Sequence, residues 1–147
     1  MVVEIERQTA VAAARLWDVL TDWPRHGRYV PCTRLEVTSA PGPGQQVDAI
    51  TQLGPIDLVH DVMVVQEWSP PLGDAPGVVQ LTKIGRVLGG SARIEVHTRS
   101  GGSRVTWREE VWPRPAWLGA VLAPAFDLAA RPLFGRTLDG LIREAVA

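Results

Sequence analysis

The chain has 147 residues, of which 46% are hydrophobic and 21% charged, with a formal net charge of −1. That length is most simply one domain, residues 1–147, able to bury its own core without covalent staples. A near-neutral charge with scattered basic residues lacks the clustered positive footprint of a nucleic-acid binder, so no nucleic-acid partner is expected.

Cys32 is the single cysteine, which leaves neither a disulfide nor a zinc framework. The segment MVVEIERQTA has acids where a signal peptide would be basic. No apolar run approaches the roughly 20 residues that span a bilayer. A cytoplasmic location without an integral membrane segment is therefore expected. Lys83 is the one lysine and asparagine is absent, a skew that fits GC-rich bacterial coding.

Val2 to Thr9 alternates, with Val3 and Ile5 on one face and Glu4 and Glu6 on the other, as in a half-buried strand. From Ala12 to Asp22 the period changes, and Ala13, Leu16, Trp17, Leu20 and Trp23 mark a short amphipathic helix. Pro24 ends it or opens a second short helix, Arg25 to Val30, which Pro31 closes. Thr33 to Ser39 reads as a strand, followed by the Ala40-Pro41-Gly42-Pro43-Gly44 turn.

Strands then follow one another without an intervening helix: Gln45 to Leu53, Asp57 to Trp68, Gly77 to Leu88, Ser91 to Arg99 and Arg104 to Trp112. Their short connections, among them Gly54-Pro55, Gly89-Gly90 and Ser100 to Ser103, imply antiparallel neighbours. The last stretch, Pro115 to Ala147, carries apolar residues three and four apart, from Leu118 through Phe126 and Leu133 to Leu141 and Ala145. This is the stripe of a long helix, and Pro124 and Pro132 should kink or interrupt it. Helices gathered at one side of an antiparallel sheet make an α+β two-layer domain.

Three local patterns add to that order: LWDVLTDWPRHGRYVP (Leu16 to Pro31), IGRVLGGSARIEV (Ile84 to Val96) and SRVTWREEV (Ser103 to Val111) leading into the terminal helix. With them the whole chain resembles the helix-grip, START-like (SRPBCC, Bet v 1-like) superfamily, in particular its polyketide cyclase/dehydrase and lipid-transport branch. The resemblance implies about seven curved antiparallel strands wrapped around the last helix, with a deep apolar cavity between them whose mouth lies near the short helices. It further implies a hydrophobic ligand such as a lipid, sterol, polyketide, aromatic hormone or quinone. Members of the superfamily catalyse cyclisation or dehydration, carry ligands, or act as adaptors, and the fold does not choose among these.

Strand alternation nominates the groups that face the helix. In Asp57 to Trp68 the face carrying Leu58, Val62, Val64 and Trp68 also carries His60 and Gln66. In Arg104 to Trp112 the face with Val105, Trp107 and Val111 carries Glu109. His60 and Glu109 are thus the candidate acid and base, since an imidazole and a desolvated carboxyl can exchange protons near neutral pH. A slip of one residue, or a bulge, would reverse either assignment.

Trp68 and Trp107 are candidate stacking surfaces for a flat ligand. Val62, Val64, Gln66, Thr51, Arg86, Phe126 and Tyr29 complete the candidate ligand-binding set, with Gln80 a further polar group for the cavity and Arg86 able to meet a carboxylate or enolate. His26 and Tyr29 either gate the mouth or lie solvated on its surface, and His97 reads as exposed. The three histidines have no metal-ligand spacing, and neither a phosphate loop nor a nucleophile elbow is present. No cofactor or metal is expected.

Sequestration or transport of a hydrophobic small molecule is the first functional expectation, by a monomer or homodimer. A cyclase/dehydrase-type enzyme built on His60 and Glu109, and a protein-binding adaptor using a patch around Tyr29 and Trp117, are the alternatives.

Overall fold

A computed structural model describes all residues from Met1 to Ala147. The chain runs β1 (Val2–Thr9), α1 (Ala13–Leu20), α2 (Trp23–His26), β2 (Thr33–Val37), β3 (Gln46–Leu53), β4 (Ile56–Ser69), β5 (Gly77–Lys83), β6 (Leu88–Arg99), β7 (Gly102–Pro113) and α3 (Trp117–Val146). Seven strands form one sheet in the order β1-β7-β6-β5-β4-β3-β2, antiparallel throughout. The long loop holding α1 and α2 carries the chain from one edge strand to the other, so both short helices close one end of the curved sheet. The α+β helix-grip architecture expected from the sequence is the one observed.

The core lies between the concave sheet face and the helices. Leu16 and Leu20 of α1, Val65, Val79, Val96 and Val105 of the sheet, and Leu138 and Leu141 of α3 are completely enclosed. Each such side chain contributes roughly 1.5–3 kcal/mol through removal from water. The two edges differ: β1 and α3 share a boundary, whereas β2 is a five-residue strand left at the open side. A short edge strand offers little template for pairing with another chain.

The two halves of α3 live in different surroundings. From Ala130 onward it is gripped, with Ala130, Gly135, Leu138, Gly140, Leu141 and Ala145 buried. The N-terminal half is largely exposed, and Trp117 (65% exposed), Val121, Leu122 and Leu128 (81%) face outward. By length and composition α3 could cross a bilayer, which the sequence was not expected to provide; its buried C-terminal half is the gripped helix of the fold. Pro124 and Pro132 do not interrupt it. Each removes one helical hydrogen bond, and the carbonyls released, those of Ala120 and Leu128, belong to exposed residues.

Two boundaries depart from expectation. The strand expected over Gly77 to Leu88 stops at Lys83, and the chain turns through Ile84–Val87. Gly89-Gly90 then lies inside β6, where Gly90 has φ +128° and a Cβ would run into the Glu110 carbonyl. The second short helix is also shifted towards the N-terminus, to Trp23–His26, with Pro24 in its first turn.

Candidate functional site

A cavity of about 200 Å³ lies between the sheet and the helices. Twelve of its seventeen lining residues are hydrophobic, and Trp23, Trp107 and Phe134 supply aromatic walls. Trp107 sits at the centre of these rings, 5.4 Å from His26 and 5.3 Å from Phe134 between centroids, edge-on to both. Such edge-to-face contacts add about 0.5–1.5 kcal/mol each to the area buried in the aromatic pairs.

One side of the cavity is ionic. Glu109 of β7 and Asp61 of β4 both line it. Lys83, the last residue of β5, stands behind them, with Nζ 2.5 Å from Asp61 Oδ2 and 2.7 Å from Glu109 Oε1. The Lys83 side chain is only 1% exposed, and its third contact is Met63 Sδ at 3.7 Å. Three ammonium protons therefore meet three acceptors within the protein. Glu109 Oε2 also accepts from Trp107 Nε1 at 3.1 Å.

The environment sets the charge states. Burial is the largest influence on Glu109 and raises its pKa above the usual glutamate range, with Lys83 pulling the other way. Burial is also the largest influence on Lys83 and acts to lower its pKa, but Glu109 and Asp61 together outweigh it and the net direction is upward. Lys83 is thus a charged structural cation rather than a neutral amine. His26 is enclosed, and burial lowers its pKa to about 4. Its Nε2 lies 2.8 Å from the Leu20 carbonyl, which can only accept. The neutral ring therefore carries its proton on Nε2 and leaves Nδ1 bare.

Among the residues nominated from sequence, Thr51, Trp107 and Glu109 line this cavity. His60, Val62, Val64 and Gln66 do not, because β4 presents the opposite face there: Val59, Asp61 and Met63 point inward. The reason is a register shift between Val65 and Glu67. A bulge of this kind reverses the alternation, so Trp68 does turn towards the core while residues upstream of Gln66 have the other parity. Trp68 then packs on Trp17 of α1, with centroids 5.3 Å apart, rather than on the cavity.

His60 is exposed on the outer face, with Nδ1 2.9 Å from Asp48 Oδ2 and Nε2 3.6 Å from Asp57 Oδ2. It cannot act together with Glu109, from which the sheet separates it. Arg86 is exposed in the β5–β6 turn, because the strand ends before it. Gln80 receives a hydrogen bond from Arg93 away from the cavity. Phe126 covers β1 beside Val2 and Val3. Tyr29 lies against Gly140, where no Cβ could fit, and donates to Glu144 Oε1 at 2.7 Å. Tyr29 thereby fastens the loop after α2 to α3. Hydrogen bonds from Tyr29, Arg28 and Arg25 hold the Glu144 carboxyl at about 2.

Sequence reasoning gave no cavity role to Lys83 or Phe134, read Asp61 as solvent-facing, and weighed His26 only as a gate to the mouth or a solvated surface group. Lys83 was legible: Val79, Leu81 and Lys83 share one parity while Gln80 and Thr82 share the other. The single lysine therefore continues an apolar row. His26 carried no comparable signal, since its inward direction depends on how a four-residue helix docks.

No protein-family model matches the chain, and no curated protein sequence matches it. Solved structures do. The Thermus thermophilus protein TTHA0849 superposes with a TM-score of 0.77 at 14% identity, over 99% of this chain and 97% of its own. An aromatase/cyclase, Zhui, from a Streptomyces species gives 0.70 at 14% identity over 99% and 93%. A STAR-related lipid transfer protein from Xanthomonas axonopodis gives 0.69 at 16% identity over 99% and 86%. At such identities the likeness speaks for architecture, and it agrees with the element order and topology described above: this chain has the START-like helix-grip fold.

Proposed function

We propose that this protein binds a small, flat hydrophobic molecule of one or two rings in the cavity between the sheet and α3. The observation that carries this reading is the cavity: about 200 Å³, mostly apolar, with aromatic faces from Trp23, Trp107 and Phe134. An engineered apolar cavity of about 150 Å³ already admits benzene, so the space suits a bicyclic ring better than a long-chain lipid or a sterol. Pockets for drug-sized ligands are typically about 300–1,000 Å³. The lipid transfer and aromatase/cyclase neighbours support ligand binding in this fold without naming the ligand here.

A cyclase- or dehydrase-type reaction would retain Glu109 alone of the predicted acid/base pair. Such chemistry also needs a donor to a developing oxyanion, and Lys83 has its protons committed to Asp61, Glu109 and Met63. An adaptor surface spanning Tyr29 and Trp117 has little support, because Tyr29 meets α3 at Gly140. That position is about 35 Å along a helix from Trp117. Titration calorimetry with two compounds of one bicyclic ring, 2-naphthol and 2-methoxynaphthalene, tests the binding reading. Saturable one-to-one binding is expected, abolished by Ala92→Phe, which fills the cavity from β6. Absence of binding by both compounds, or binding indifferent to Ala92→Phe, would overturn it.

A further inference from the structure

The polar groups around the cavity share a property that apolar walls do not impose: their protons are already engaged. Trp107 Nε1 donates to Glu109 Oε2, and Trp23 Nε1 donates to Gln45 Oε1 at 3.0 Å. His26 Nε2 donates to the Leu20 carbonyl. Thr33 donates its single hydroxyl proton to the Pro31 carbonyl at 3.0 Å, so the 3.3 Å contact between the Thr33 and Thr51 hydroxyls is a donation by Thr51. Lys83 is closed off by Asp61, Glu109 and Met63.

What is left on the wall is acceptor capacity. Asp61 Oδ1 is enclosed and has no hydrogen-bond partner, although Asp61 lines the cavity. A buried acceptor without a donor is unfavourable. Moreover, two carboxylates face one ammonium, so the cluster carries an excess of negative charge when all three are ionised. A ligand that supplies a proton donor relieves both conditions, and one that supplies another carboxylate worsens both.

We propose that the cavity selects ring compounds bearing a hydrogen-bond donor such as a ring hydroxyl, which Asp61 Oδ1 accepts, and rejects ring carboxylates. This selectivity rests on the ring-binding reading above and adds the chemical class of its ligand. A site whose buried polar group depends on a ligand's O–H discriminates strongly against the analogue lacking it.

Three probes of one ring system separate the possibilities: 2-naphthol, 2-methoxynaphthalene and 2-naphthoate, titrated calorimetrically near neutral pH. We expect 2-naphthol to bind at least about tenfold tighter than the methoxy compound, the effect of one unmet buried acceptor, and 2-naphthoate to bind weakest. In Asp61→Asn the amide oxygen stays on Lys83 and its N–H₂ occupies the unpartnered position, so the hydroxyl-to-methoxy ratio falls to about one. Equal binding of 2-naphthol and 2-methoxynaphthalene overturns donor selection while leaving ring binding intact. So does a carboxylate that binds as well as the naphthol, or a ratio unchanged in Asp61→Asn. Failure of all three probes to bind overturns the ring-binding reading and this selectivity with it.

Discussion

Strand β4 sends acidic side chains to both faces of the sheet, and each face builds a base between two carboxylates. On the inner face Asp61 and Glu109 hold Lys83, whose side chain is 1% exposed; on the outer face Asp48 and Asp57 flank His60, which is 49% exposed. The arrangements are similar and their surroundings are not. At a separation of 4 Å, unit charges interact by about 1 kcal/mol in bulk water and by roughly 4 kcal/mol at an effective dielectric of about 20. The inner cluster consequently fixes its charge states and its geometry, whereas the outer one is a solvated surface group.

The most severe way to break this contrast is Lys83→Met, which leaves two carboxylates against an apolar cavity. Removing one partner of a buried ion pair costs about 3–5 kcal/mol, to be read from urea denaturation at pH 7. Adding Asp61→Asn and Glu109→Gln should recover most of that loss, because a wholly neutral cluster has no charge to desolvate. A loss as small as that of a surface pair would show that the inner cluster is not acting as a buried pair.

His26 gives the next largest effect. Its folded pKa of about 4 lies below the ordinary 6.5. A base with a depressed pKa stabilises the fold fully above 6.5, and that stability is lost as pH falls towards 4. The difference corresponds to about 3 kcal/mol, and His26→Gln should remove this part of the acid sensitivity. Glu109 works with the opposite sign. Its raised pKa means that its favourable contribution is present below about 4.5 and declines as pH rises through the folded value. Glu109→Gln should therefore gain stability on the wild type as pH rises.

The smallest effect belongs to the outer cluster. His60→Ala should leave both the denaturation midpoint and the affinity for 2-naphthol unchanged. Imidazole resonances give the comparison directly. His60, with its pKa raised first of all by the hydrogen bond to Asp48, should titrate above 6.5, and His26 near 4. A His60 substitution that weakens ligand binding would mean that the two faces of β4 are coupled.

How far the site could be read from the sequence follows from the same strand. In β7 the alternation runs unbroken from Val105 through Trp107 and Glu109 to Val111, and all four face inward as expected. In β4 both faces carry aliphatic residues, Leu58, Val62 and Val64 against Val59, Met63 and Val65, so Trp68 on one face and the acids Asp57, Asp61 and Glu67 on the other decided the choice. The register shift near Gln66 lies between Trp68 and the rest. The largest side chain therefore pointed to the correct face for itself and to the wrong face for His60. The terminal helix misled differently: its apolar stripe is continuous in sequence, yet Val121, Leu122 and Leu128 lie exposed on its N-terminal half.

The sequence by itself determined the α+β class, the order of elements, the antiparallel sheet and the inward row of β7. These depend on local periodicity and turn chemistry, which neighbouring residues carry between them. Tertiary structure alone decided which carboxylate joins Glu109, that Lys83 lies between them, and that His26 is a cavity wall. Each of those contacts joins residues from separate elements. Their positions depend on a bulge, on where a strand stops and on how a short helix docks, and none of these leaves a periodic trace in the chain.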